Sequence, residues 1–348
     1  MNKKLITLAV AGAMIAPLAA AADTTIYGRI HTSLQYVDGD VINIFRDPQT
    51  GDITTVGKNF DEIWDVRNET TRIGVKGSED LGNGLKAIFQ AEWAFNSAEG
   101  GSTAGGLANR LAYAGLTGGW GTAAIGRQWT PYYGAVDKAD IFNGGSFNNQ
   151  YIGTFRTGSA VAYVTPNFGG FVGKAALVMD GANPADTSID AYNLSAEYNN
   201  GPFAIGLGYH NATDGATNGA GTSTDDVGGW GIGGSWNFGM FKLIGQYEDW
   251  DRKDLTLQSA TESWKEYTVA GEAYFGKHTI RAMWSNLDYD IDDDDNWVVG
   301  YQYSLSKRTR VYTEYGELTG VQQDNLNANQ VASLQDGKIW NFGLRHDF

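Results

Sequence analysis

Apolar and polar residues alternate with a period of two along most of the chain. In the C-terminal segment KIWNFGLRHDF, Trp340, Phe342, Leu344 and Phe348 share one parity while Asn341, Gly343, Arg345 and Asp347 share the other. That is the mark of a strand with one apolar and one polar face. Parity likewise separates Ile26, Ile30 and Leu34 from Arg29, His31 and Gln35, and Leu85, Phe89 and Trp93 from Lys86, Gln90 and Glu92. Further along it separates Tyr192, Leu194 and Tyr198 from Asn193, Ser195 and Glu197. Near the end, Tyr267, Val269 and Phe275 oppose Glu266, Thr268 and Glu272, and Trp297, Val299, Tyr301 and Tyr303 oppose Gln302 and Ser304. The face opposite the aromatics carries Arg, Glu, Gln and Lys and reads as too wet for a packed core, because unpaired buried charge is costly. A soluble β-sandwich also alternates, but it needs a dry inner face.

The connections alternate too. Tight turns are expected at Asp80 to Gly84, Gly118 to Gly121, Asn167 to Gly170, Asn199 to Pro202, Phe238 to Met240, Gly276 to His278 and Ser306 to Arg308, where Gly, Asn, Asp, Ser and Pro supply turn chemistry. Between them lie longer acidic or Gly/Asn-rich stretches: Asp38 to Asp65, Ser97 to Leu107, Trp129 to Phe155, Asp180 to Ile189, Asn211 to Asp226, Asp251 to Glu262, Asp290 to Asn296 and Thr319 to Gly337. Seven short and eight long connections join sixteen strands, predicting an all-β, sixteen-stranded antiparallel transmembrane barrel with both termini on the short-turn side. An even strand count lets the sheet close and leaves no edge.

Composition agrees. Among 348 residues there are 47 Gly, 6 Pro and no Cys, with 11 Trp, 18 Tyr and 15 Phe spread along the whole length. The absence of Cys excludes a disulfide scaffold and any Cys-ligated metal. A mean hydropathy of -0.32 would ordinarily argue for water, but only alternate residues of a barrel strand face lipid. No run of eighteen apolar residues follows the N-terminus, so no transmembrane helix is expected. The opening MNKKLITLAVAGAMIAPLAAAAD has a basic start, an apolar centre and a small-residue run to Ala22. Residues 1-22 therefore read as a secretory signal peptide and 23-348 as the barrel. Loss of Lys3 and Lys4 takes the formal charge from -15 to -17, which argues against nucleic acid as a partner.

The segments TTIYGRI (24-30), TRIGVKGSEDLGNGLKAIFQAE (71-92), NRLAYAGLTGGWGTAAIGRQ (109-128) and AVAYVTPNFGGF (160-171), with a terminal Phe348, resemble the general porins of Gram-negative bacteria along nearly the whole mature chain. SEDLGNGLKA is the most specific of these. The resemblance implies a trimeric diffusion channel of the outer membrane, embedded in lipid and lipopolysaccharide, passing ions and small hydrophilic solutes without a cofactor. It also implies that the terminal aromatic is read during barrel assembly, and that an acidic third loop folds inward to face arginines on the opposite wall.

By local motif the wall positions are Arg29, Arg72, Arg110 and Arg156, and parity against Ile26 and Ile30, Ile73 and Val75, Leu111 and Tyr113, and Val161 and Tyr163 sends all four inward. The loop is WTPYYGAVDKADIFNGGSFNNQYIGTFR, Trp129 to Arg156, whose length without a regular period is itself a sign of function. It lacks the acidic Pro-Glu-Phe-Gly-Gly tip of enterobacterial relatives and offers Asp137, Lys138 and Asp140 instead. The expected constriction is Arg29, Arg72, Arg110 and Arg156 against Asp137 and Asp140. Arg127 shares parity with Ile125 and is expected outside, toward a subunit interface.

Arginine stays charged at any relevant pH, so the waist carries a transverse field that orders water and filters by size and polarity. Glu92, Glu197, Glu266, Glu272 and Glu314, with the net charge, predict a modest cation preference. Trp250, Trp264, Trp284 and Trp297 are expected in the interfacial aromatic girdles, and Asp292 to Asp295 in an external loop that lacks calcium-loop spacing. No G-x-S-x-G, H-E-x-x-H or phosphate loop appears and the four His are scattered, so no enzymatic activity is expected. The alternatives are a substrate-selective channel, or a surface adhesin or receptor barrel; saturable current would mark the first and absence of conductance the second.

Overall fold

In the computed structural model, residues 22-46, 53-98, 107-147, 151-179, 189-212, 216-217, 223-224, 227-252, 263-289, 293-320 and 330-348 are described. Of the expected signal peptide only Ala22 falls within them. Strands account for nearly all of these residues: β1 Ala22–Arg46, β2 Ile53–Asn68, β3 Arg72–Gly82, β4 Leu85–Ala94, β5 Ala108–Gly118, β6 Gly121–Trp129, β7 Arg156–Thr157, β8 Ala160–Val164, β9 Phe171–Val178 and β10 Ala191–Asn200. There follow β11 Phe203–Ala212, β12 Ala216–Thr217, β13 Ser223–Thr224, β14 Val227–Asn237, β15 Phe241–Arg252, β16 Ser263–Phe275, β17 His278–Tyr289, β18 Asp293–Ser304, β19 Thr309–Gly320 and β20 Gln330–Asp347. Among the described residues one short α-helix, α1, spans Pro131–Val136.

These segments make sixteen staves of a closed antiparallel barrel. β2 and β3 lie end to end along β1, which pairs with β3 from Ala22↔Glu79 to Arg29↔Arg72 and with β2 from Thr32↔Asn68 onward. β7 and β8 likewise share one stave beside β6, interrupted where Ser159 takes a positive φ of 49°. β12 and β13 form a small separate hairpin. Pairing of β1 with β20, from Arg29↔Asp347 to Phe45↔Gln330, closes the sheet and satisfies the backbone of both end strands, as a lipid setting requires.

Parity sets the two surfaces as expected. Ile26 and Ile125 are 66% and 67% exposed on the outside, whereas His31, Ser33 and Gln35 are buried on the inside. At the β3–β4 turn, Gly82, Asn83 and Gly84 all adopt positive φ, the backbone state that Gly and Asn accept most readily.

Three connections expected to be loops are more regular than their composition suggests. Most of Asp38 to Asp65 continues the β1–β2 hairpin, β20 starts at Gln330 rather than after Gly337, and Asp293–Asp295 open β18. β-Branched residues within the first of these (Val41, Ile42, Ile44, Ile53, Thr54 and Thr55) favour strand, and the ladder, once registered in the barrel, extends through them.

Candidate constriction site

The third long connection enters the barrel. Thr130 caps α1, its hydroxyl accepting from the Tyr133 amide at 3.1 Å, and Pro131 occupies the first turn, where its missing N–H costs nothing. α1 lies against β10, β11 and β14, with the Tyr132 amide donating to Asn193 Oδ1 at 2.6 Å. Beyond it, Ala139, Phe142 and Phe147 pack on Ile244, Ala270, Met283, Val298, Leu318 and Ile339. These wall residues point inward from β15 to β20. The lumen is therefore not uniformly wet: half of its wall is a packed core shared with the loop.

Wall carboxylates hold the loop by its backbone. Glu314 accepts from the amides of Asn143 and Gly144 at 2.8 and 2.7 Å and from Asn143 Nδ2 at 3.0 Å. Glu69 accepts from the Gly145 amide at 2.6 Å. Glu248 accepts from the Ile152 amide at 3.0 Å, from the Tyr132 hydroxyl at 2.9 Å and from Trp250 Nε1 at 3.1 Å. Charge-assisted bonds of this kind contribute about 1.5–3 kcal/mol each. Trp250 is thus only 3% exposed and stacks on Trp264 inside the barrel. Both leave the expected aromatic girdle, because the inner face of β15 and β16 needs large rings to pack against α1. Trp284 and Trp297 are exposed on the outer parity.

The wall that the loop leaves uncovered carries the cations. Glu92 joins Arg72 at 3.5 Å and Arg110 at 2.6 Å. Asp347 joins Arg29, Arg310 and Arg345, each at 3.1 Å. Arg156 lies over the Trp129 ring, 4.7 Å from its centroid, in the field of Arg110, Arg127 and Arg72. Of the four arginines expected from the sequence, Arg72 and Arg110 share Glu92, Arg29 joins Arg310 and Arg345 on Asp347, and Arg156 lies over Trp129 beside the first group. Polar parity marks Arg345 in KIWNFGLRHDF, but that Asp347 gathers three arginines depends on closure of β20 against β1.

Arg110 turns inward for a reason parity does not supply. Leu111 is buried on the lumen side and Tyr113 donates to Gln90 Oε1 there at 2.8 Å, so alternation would send Arg110 outward. A register shift between Glu92↔Leu111 and Trp93↔Asn109 leaves Arg110 as the extra residue, and such a bulge re-aims its side chain. Arg127 pairs with Ala112, which shares the exposed parity of Leu116. Its guanidinium nevertheless lies in the field of Arg110 and Arg156, and its Nε has no hydrogen-bond partner.

On the loop, Asp140 is exposed, accepts from the Tyr133 hydroxyl at 3.2 Å, and sits in the field of Arg29, Arg345 and Arg72. The Asp140 amide donates to Asp137 Oδ1 at 3.1 Å. Burial pushes the Asp137 carboxyl above its ordinary range, and the Asp140 and Glu248 carboxylates push the same way. Lys138 bends back to donate to the Gly134 carbonyl.

The carboxylates behind the expected cation preference are engaged. Glu314 and Glu266 are 1% and 0% exposed beneath the loop. Glu92 is bridged to its arginines, Glu197 to Lys174 at 2.5 Å, and Glu272 to Arg281 at 3.0 Å. A count of acidic residues on the lumen parity does not describe the open pore.

A family model for Gram-negative porins matches residues 7–323. An outer membrane porin protein of Bordetella pertussis is 29% identical, outer membrane porin protein 32 of Delftia acidovorans 28%, and major outer membrane protein P.IB of Neisseria meningitidis 29%, each alignment covering 100% of both chains. Among solved structures, an anion-selective porin from Comamonas acidovorans aligns with a TM-score of 0.69 at 23% identity, over 94% of this chain and 100% of that one. OmpF of Salmonella typhi aligns at 0.66 and 16%, over 93% and 97%.

Proposed function

Since this chain belongs to the Gram-negative porin family and forms a water-filled channel in the outer membrane, we propose that the channel narrows between the inward loop and the arginine wall, and that this waist prefers anions. Arg29, Arg72, Arg110 and Arg156 line one side, with Arg310 and Arg345 beside them, and Asp137 and Asp140 stand on the loop. The observation that carries the reading is the charge count on the uncovered wall. Six guanidiniums (Arg29, Arg72, Arg110, Arg156, Arg310, Arg345) face three carboxylates (Glu69, Glu92, Asp347), an excess of three positive charges, which Asp137 and Asp140 reduce to one.

A narrow passage with low-dielectric walls concentrates counter-ions of the opposite sign. Hydrophilic solutes replace ordered water in the transverse field more readily than apolar ones, so size and polarity filter together without a binding step. The similar porin from Comamonas acidovorans is named as anion-selective, which supports the sign. The formal charge of -17 left after loss of Lys3 and Lys4 does not oppose it, since screening over about 10 Å at 0.1 M salt leaves the local wall in control.

In this reading residues 1-22 are removed on export, residues 23-348 form the barrel, three copies assemble side by side, and the outer surface contacts lipid and lipopolysaccharide. Catalysis has no part in it. The test is the zero-current potential across a bilayer in a salt gradient. The wild-type channel should show anion preference, and the Arg72→Ala/Arg110→Ala/Arg156→Ala variant should lose it. Cation preference in the wild type would overturn the assignment.

A further inference from the structure

α1 rests on a wall from which side chains are missing. On β11 and β14, glycine alternates with bulky residues: Gly206 and Gly208 on one strand stand opposite Gly233 and Gly231 on the other, while Leu207, Tyr209, Trp230 and Ile232 are exposed on the outer face. A methyl group at Gly233 would lie 2.0 Å from the Val136 carbonyl oxygen, and one at Gly206 would lie 2.4 Å from the Ala135 carbonyl oxygen. At Gly208 and Gly231 it would meet Tyr132 at 2.7 and 2.5 Å. Glycine weakens a strand interior, and its clustering on two adjacent strands marks a place where another backbone comes close.

We infer that these four glycines set the width of the channel from behind the loop. The inference rests on the waist lying between the loop and the arginine wall. To reach an ordinary contact of 3.4 Å from 2.0 Å, the Val136 peptide would have to retreat by about 1.4 Å. The strands behind it are hydrogen-bonded on both sides, and protein interiors do not compress, so the direction open to α1 is into the lumen. The residues that fix the solute size limit then touch no solute, and their charge is irrelevant to ion preference.

Single-channel recording of the reconstituted full barrel tests this. Gly233→Ala and Gly206→Ala should each lower the unitary conductance and shift the exclusion of neutral polyethylene glycols toward smaller polymers, with no change in zero-current potential. Gly245→Ala on neighbouring β15, where an added methyl meets nothing within 4 Å, should leave all three readings unchanged. Gly231→Ala, whose methyl would meet the Tyr132 hydroxyl at 2.5 Å, Val136 Cγ1 at 2.9 Å and the Tyr247 carbonyl oxygen at 3.0 Å, should also lower conductance, and combining it with Tyr132→Phe, which removes the closest of these contacts, should recover part of that loss relative to Tyr132→Phe alone. Folded Gly233→Ala channels that conduct as well as or better than wild type would overturn the inference. If Gly233→Ala fails to fold, the Gly231 pair decides: an equal loss with and without the Tyr132 hydroxyl overturns it. A wild-type barrel without conductance would instead defeat the channel reading itself.

Discussion

The two halves of the lumen wall are built from the same alternating strands and do opposite work. From β10 round to β20 the inward positions that meet the loop include Gly, small or branched apolar residues, and Glu248 and Glu314, whose oxygens are taken up by loop amides. From β1 through β7, inward positions carry Arg29, Arg72, Arg110 and Arg156, with Arg310 and Arg345 closing the row at the seam. Glu248 and Glu314 on the first half, with Glu69 at the edge of the second, clamp loop amides, whereas Glu92 and Asp347 are counter-ions to the arginines. The same residue type on the same parity therefore carries different meaning, and the loop decides which.

The largest effect should come from breaking the covered half. Glu314→Ala leaves the Asn143 and Gly144 amides without an acceptor, each orphaned group costing about 1–3 kcal/mol, so the loop should detach locally. Planar-bilayer traces are expected to show higher and noisier conductance, with less rejection of large neutral polymers. A quiet channel of wild-type size would mean that the apolar packing of Phe142 and Phe147 suffices on its own.

Next in size is the uncovered half. Arg110→Ala removes one of the two arginines that share Glu92 and lowers the excess positive charge by one, so the zero-current potential should move toward cations while conductance changes little. A smaller shift in the opposite sense is expected for Asp137→Asn with Asp140→Asn, which strips the loop of its negative side. An unchanged potential would show both to be solvated loop charges outside the field.

The smallest effect concerns pH. Because the Asp137 carboxyl is held above its ordinary range, it gains a proton earlier than a free aspartate as the bath is acidified. The loop then loses negative charge, and anion preference should rise on mild acidification. The Asp137→Asn channel should lack that component.

Much of the barrel is legible in the sequence. Trp340, Phe342 and Leu344 against Asn341 and Arg345, or Ile26 and Ile30 against Arg29 and His31, fix which side each residue takes, since a strand has only two faces. Composition served less well for where strands end: the Asp- and Gly-rich stretches after Asp38 and before Gly337 pair as strand because the ladder beneath them is already registered. Parity also failed at Arg110, where one extra residue in the ladder reverses a side chain without any local signal.

Read alone, the sequence determined the strand count, the outer apolar surface and the position of the long third connection, because these depend on periodicity. Only the tertiary structure decided what the inward residues do. Glu314 meets Asn143, Glu248 meets Ile152, and Gly233 meets Val136 across separations of about a hundred residues or more. Those meetings follow from closure of the barrel around the loop, and no local pattern encodes a contact made by closure.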